Sequence, residues 1–168
     1  SVVSDPDDPW WDVDWFYRKE ITVNHSLVVG DLVGFPVLIK FDVDSDLAGN
    51  AQDDGDDIVF TTVDGVRLNH EVEFFDGVTG RLVAWVNVPS LSSSVDTVLY
   101  LYYGNPSCVN QENVELVWDG NYVMVQHFDE VSGTRFDSTV NHFNGAPTNV
   151  VHTNAGVIDG ADTFDGSS

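Results

Sequence analysis

Leu82-Val83-Ala84-Trp85-Val86 and Val98-Leu99-Tyr100-Leu101-Tyr102-Tyr103 decide the fold, because in both runs residues of either parity are apolar or aromatic. Successive side chains of a strand point to opposite faces, so such a run leaves no face for water. It belongs to a central strand covered on both sides. Two central strands, over 81–88 and 95–103, need partners beside them and further layers above and below.

The flanking chain supplies the partners. Val66, Leu68, His70, Val72 and Phe74 alternate with Arg67, Asn69, Glu71, Glu73 and Phe75, the period of a strand with one wet face. Further strands are predicted over 17–23, 35–42, 57–62 and 122–128. Asp54-Gly55, Asp64-Gly65 and Asp76-Gly77 sit between strand-like runs, where Gly relieves the left-handed strain of a tight turn. Helical character is confined to a turn or two around 106–115. Evenly spaced strands without a helical repeat predict an all-β chain built on an antiparallel, jelly-roll-like β-sandwich. Gly104-Asn105-Pro106-Ser107 breaks the last central strand, a polar stretch runs to Glu115, and a new β pattern begins at Trp118-Asp119-Gly120. The chain therefore divides into an acidic aromatic segment (1–14), a sandwich (15–106), a linker (107–117) and a partial second β unit (118–168).

Five Trp, ten Phe and five Tyr are ample for a core. Charge is the outlier: 28 Asp and Glu against 6 Lys and Arg give a net charge of −22. Nucleic acid and anionic membrane would repel such a surface, and self-repulsion calls for screening by salt or bound cations. Cys108 stands alone and reads as a small apolar filler, so no internal disulfide exists. No apolar run is long enough to span a bilayer and no Lys/Arg-led signal precedes the first strand; if the chain is secreted, Ser1 is a candidate processed terminus.

Several phrases, in order, carry a family likeness: Trp15-Phe16-Tyr17-Arg18-Lys19, Phe35-Pro36-Val37-Leu38-Ile39, the acidic run from Ala51 to Ile58, Trp85-Val86-Asn87-Val88-Pro89, and Tyr100-Leu101-Tyr102-Tyr103-Gly104-Asn105-Pro106. Over about 15–106 they resemble family 2341 of the domains of unknown function, a β-sandwich module of bacterial and archaeal surface proteins. Residues 118–166 resemble the opening of a laminin-G-like (concanavalin A-like) domain, through Val125-Gln126-His127-Phe128-Asp129-Glu130, Asp137-Ser138-Thr139-Val140-Asn141, Asn144-Gly145 and the segment from Gly160 to Gly166. The resemblance implies an extracellular or cell-surface location, adhesive or structural roles, and no defined reaction.

Candidate sites follow from residue types. Asp42, Asp44, Asp46, Asp53, Asp54, Asp56 and Asp57 crowd carboxylates into one stretch and form a candidate hard-cation site, with calcium the implied ion. The spacing is not an EF-hand, since Leu47 stands where its Gly is needed and Asp53 where its Glu is needed. Asp129, Glu130, Asp137 and Asn141 form a second acidic candidate, which the resemblance to laminin-G-like domains implies as a calcium position. Glu71 and Glu73, two apart on a strand, could serve as a glycosidase pair, but Arg67 and Asn69 share their parity and favour a solvated face. The five histidines have no metal spacing, and His70 and His127, on apolar parities, read as core or interface residues. Trp10, Trp11 and Trp15 are anchors for docking on their own domain or a neighbour's, and Val157, Ile158 and Phe164 are candidate assembly contacts. Asn24-His25-Ser26 is a glycosylation sequon at Asn24.

A partial second sandwich exposes strand edges that a neighbour can complete. The expected function is thus non-enzymatic: an extracellular structural subunit whose partners are copies of itself, polymerised into a surface filament by β-strand exchange. A carbohydrate-binding adhesion module of a larger surface protein, with glycans as partners, is the alternative.

Overall fold

β1 (Tyr17–Val23), β2 (Leu32–Phe41), β3 (Val59–Thr62), β4 (His70–Asp76), β5 (Arg81–Leu91) and β6 (Thr97–Tyr103) form two antiparallel sheets in a computed structural model that describes residues 10–166. The strand orders are β1-β6-β3 and β2-β5-β4. The two doubly apolar runs are the central strands, one per sheet, and the chain is an all-β sandwich. Residues 1–9 of the N-terminal segment lie outside the described residues.

The core lies between the sheets. Phe60, Leu99, Leu101 and Tyr103 face Ile39, Leu82, Ala84, Val86 and Val88, and all are buried. The opposite faces of β6 and β5 are also covered, by different parts of the chain. Over β6, Tyr102 and Val59 pack with Trp15, while Trp10 and Trp11 close the edge of this cluster. Trp10 Nε1 donates to the Trp15 carbonyl (2.9 Å), the Trp11 amide donates to the Tyr102 hydroxyl (3.1 Å), and Trp15 Nε1 donates to the Asp57 carbonyl (2.6 Å). The aromatic anchors dock on their own sandwich. Over β5, the cover comes from the residues after Val117.

Four local expectations differ from the structure. β4 carries a bulge between Val72 and Phe74. The extra residue reverses parity beyond it, so Phe75 rather than Phe74 packs against the core, and Phe74 lies under the Arg81 guanidinium. A short helix, α1 (Ser45–Asn50), forms within the acidic stretch because the Asp44 carboxylate accepts from the amides of Asp46 and Leu47, a capping role. In the turn between β4 and β5, Gly80 rather than Gly77 takes the left-handed conformation (φ 68°), pressed against the Asp44 carbonyl where a Cβ would not fit. Residues 122–128 form no strand, since the Val125 amide is taken by the Asp137 carboxylate and Phe128 turns to a φ of 58°.

The second unit contains one hairpin, β7 (Val150–Thr153) with β8 (Ala161–Phe164). Its organisation is polar. Arg135 makes a bidentate pair with Asp162 (2.7 and 2.6 Å) and exchanges two backbone hydrogen bonds with Gly145. The Asp137 carboxylate accepts from the amides of Val125, Thr139 and Phe143 and from the Thr139 hydroxyl. Burial pushes Asp137 up, but these bonds outweigh it and hold its pKa below the usual carboxylate range. Among the described residues beyond Trp118, the buried ones are Arg135, Asp137 and Thr139, with no apolar side chain among them.

Asp57 closes the other end of the sandwich. Its carboxylate, fully buried, accepts from the amides of Gln52, Gly104 and Asn105, tying the acidic turn to the end of β6. Burial raises its pKa. Asp57→Ala orphans three amides, and the expected loss is about 3 kcal/mol of unfolding free energy, read from urea denaturation midpoints.

Candidate functional site

The outward face of the β2-β5-β4 sheet is where the second unit meets the sandwich. Glu71 lies opposite Trp85 in the β4-β5 register, and Glu73 sits in the bulge. Both carboxylates therefore point away from the core, beside the outward indole of Trp85. They are not solvated: the Glu71 and Glu73 side chains are 9% and 3% exposed. The expectation of a wet face fails because the same layer that covers Trp85 also covers its neighbours on β4.

His127 lies between the two carboxylates. Its Nδ1 is 3.1 Å from Glu73 Oε2, and its Nε2 is 3.2 Å from Glu71 Oε2, an ion-pair distance out of hydrogen-bond alignment. Trp118 Nε1 donates to Glu71 Oε2 (2.8 Å), Ser138 Oγ to Glu71 Oε1 (2.6 Å) and Trp85 Nε1 to Glu73 Oε2 (2.7 Å). The imidazole is stacked with Trp85 and tilted against Trp118, each ring centroid 5.9 Å away. Burial pushes the His127 pKa down, but Glu71 and then Glu73 overcome it and raise the pKa to about 10. Burial likewise pushes Glu71 up, and His127, Ser138 and Trp118 more than reverse that, leaving it below the usual range. At neutral pH the site is an imidazolium held by two carboxylates and caged by two indoles.

Beside this clasp opens a cleft of about 470 Å³, lined by Pro36, Trp85, Trp118, Tyr122, Val157 and Ile158, with Glu73 and His127 on its wall. Both Glu71 oxygens are engaged within the clasp, so the two carboxylates are not jointly presented to a glycosidic bond. Two further pairs cross the seam, Arg81 with Asp159 at 2.7 Å and His142 Nε2 with Glu115 Oε1 at 3.1 Å.

The acidic candidates are dispersed. Asp44 caps α1 and pairs with Lys19, which also reaches Asp46 at 3.6 Å. Asp42 is 3.4 Å from Lys40, Asp53 is exposed, Asp54 accepts from the Asp56 amide, and Asp57 is buried in the network above. In the second acidic set, Glu130 accepts from the Phe136 amide and Asn141 donates to the Val123 carbonyl, while Asp137 is spent on backbone amides. Among the described residues no three His, Cys, Asp or Glu side chains are placed to hold a metal ion. Asn24 is exposed, its side-chain oxygen accepting from the Ser26 amide. Val157 and Phe164 are exposed (99% and 71%), and Ile158 is half-buried at the cleft. No described helix is long and apolar enough to cross a membrane.

Fold and site together define a two-sheet antiparallel sandwich with a second unit clasped to its outer face. The chain belongs to the family described as Domain of unknown function (DUF2341), whose model matches residues 54–146 and so runs from the acidic turn through the linker into the clasped unit. No curated protein and no solved structure matches the chain.

Sequence reasoning missed the clasp. The available signal was the doubly covered strand over 81–88: whatever covers Trp85 must also cover the residue paired with it, and a covered carboxylate demands a cation.

The charges set a pH window. The folded pKa of His127 lies above its ordinary 6.5, so its contribution is fully present below about pH 6.5 and is lost as pH rises towards 10. Glu71 works oppositely, its contribution fading as pH falls below the ordinary 4.5. His70, fully buried against Phe60, has its pKa pushed down to about 4 by burial, so it too removes stability as pH falls from 6.5. Chemical denaturation from pH 4 to 10.5 is expected to give a dome. NMR titration of His127 is expected to give a midpoint near 10 that drops in Glu71→Gln; a midpoint near 6.5 would remove the clasp from the account.

Proposed function

We propose that this chain is an extracellular structural subunit that polymerises with copies of itself into a surface filament, joined by exchange of β elements. The observation that carries this reading is the second unit: from Asp119 onward no described apolar residue is buried, while Phe136, Phe143, Val151, Val157 and Phe164 are exposed. A lone hairpin with exposed apolar residues is marginal in water and calls for further β structure to cover it. The likeness of residues 118–166 to the opening of a laminin-G-like domain supports the same reading, since that fold places more strands on such a hairpin.

The charge pattern dictates how copies meet. All 6 Lys and Arg are engaged within the chain. Arg18 lies over the Tyr100 ring, Arg67 donates to the Gln111 carbonyl, and Lys19, Lys40, Arg81 and Arg135 pair with Asp44, Asp42, Asp159 and Asp162. The surface left for contact is acidic, so association depends on screening by salt or by calcium. Sedimentation is expected to find monomers in dilute buffer and growing assemblies at molar salt, visible as filaments by electron microscopy. A monodisperse monomer at high concentration in salt would sink the proposal. Filament loss on chelation would assign part of the screening to calcium.

A carbohydrate-binding role has one observation in its favour, the cleft with Trp85 and Tyr122 on its walls and Glu73 as a polar contact. Glycan-array binding that disappears in Tyr122→Ala would establish that role; an array without hits would leave the cleft to protein contacts.

A further inference from the structure

The seam between the two units divides into a receptor and a plug, separated by a turn. Glu71, Glu73 and Trp85 belong to the sandwich, and Trp118, the last residue before the turn, stays with them through its bond to Glu71. The linker leading there is pinned to the sandwich: Glu112 accepts from the Val72 amide, Asn113 donates to the His70 carbonyl, and Asn87 donates to the Val117 carbonyl. Then comes Asp119-Gly120-Asn121, an exposed turn closed by one backbone bond from the Tyr122 amide to the Asp119 carbonyl, with open space around Gly120. Beyond it lie His127, Ser138 and Asp159, the side chains that engage Glu71, Glu73 and Arg81.

We infer that the Glu71/Glu73/Trp85 face of one copy receives the 122–166 unit of a neighbouring copy, with His127 as the plug and Asp119-Gly120-Asn121 as the hinge. This deepens the filament reading and rests on it. Charge complementarity selects the occupant. The receptor holds two carboxylates under cover and requires a cation between them. Of the Lys and Arg, five are engaged away from the seam and Arg81 pairs across it with Asp159 of the plug itself, so the cation that matches the two carboxylates, with its flanking Ser138 hydroxyl, is the plug, here that of another copy. Every contact of the seam can be remade between chains without a new interaction, so opening one turn suffices, the low-cost route to exchange. Each copy then offers one receptor and donates one plug. Such a head-to-tail contact propagates unless its rotation closes a ring.

The test is complementation at the salt concentration where the wild-type chain assembles. A His127→Gln chain keeps its receptor and loses its plug; a Glu71→Gln/Glu73→Gln chain keeps its plug and loses its receptor. Each alone is expected to assemble about a hundredfold more weakly than wild type. Mixed at equal amounts, with one isotope-labelled, they are expected to form heterodimers by native mass spectrometry, because one sound contact forms and the remaining ends are both defective. Should either variant fail to fold, Phe35→Cys and Val157→Cys carried on separate chains, each with Cys108→Ser, give the same answer as a heterodimer linked by a short bismaleimide across the cleft whose walls carry both residues. Wild-type assembly without either heterodimer would overturn the exchange while leaving the filament intact. A wild-type chain that stays monomeric would overturn both.

Discussion

The constraint on which the structure depends is that β5 is apolar on both faces. Its inward residues, Leu82, Ala84, Val86 and Val88, are satisfied by the β1-β6-β3 sheet. Its outward Trp85 is not, and a sandwich of two sheets has no third layer to offer. The chain supplies one by continuing past Val117 and folding back over the outer face. Once that layer is in place, Glu71 and Glu73 are trapped beneath it by the register that sets them beside Trp85. Two buried carboxylates without a partner would be prohibitive. The imidazolium of His127 is therefore a consequence of covering Trp85.

The two halves of the molecule are held by different physics. The sandwich has an apolar core, and each fully buried aliphatic side chain contributes roughly 1.5–3 kcal/mol. The second unit has none, and relies on the Arg135–Asp162 pair, the Asp137 hub and the clasp. Buried ion pairs repay little net stability once desolvation is counted, but breaking one partner is costly. Such contacts fix a particular geometry better than they drive folding. The second unit thus takes its order from the surface it sits on, and its local stability is lower than that of the sandwich.

The fold was legible because period two survives in composition. The central strands at 81–88 and 95–103, their partners at 17–23 and 35–42, and the break at Gly104 all follow from local pattern. What was illegible depends on contacts distant in sequence. The bulge at Glu73 inverts parity without any Gly or Pro to announce it. Asp44 and Asp57 read as cation ligands because carboxylate spacing is visible and capping geometry is not. Residues 122–128 have the composition of a strand, yet the Asp137 carboxylate claims the Val125 amide that a ladder would need. The pairing of His127 with Glu71 spans 56 positions, and only the coverage of Trp85 connects them.

For the assembly proposed above, magnitudes make association conditional. Covering four exposed side chains such as Phe136, Phe143, Val157 and Phe164 contributes about 6–12 kcal/mol at the usual transfer energies. Bringing two chains together costs about 4–15 kcal/mol in lost freedom. The two ranges overlap, so neither term alone fixes the sign and electrostatics weighs in the balance. With a net charge of −22 and every Lys and Arg engaged internally, repulsion between copies is unopposed in dilute buffer. At molar salt the Debye length shrinks to about 3 Å, leaving only charges in direct contact to matter. In the assembly proposed above apolar contact would then prevail, and the acidity of single copies would act as its switch.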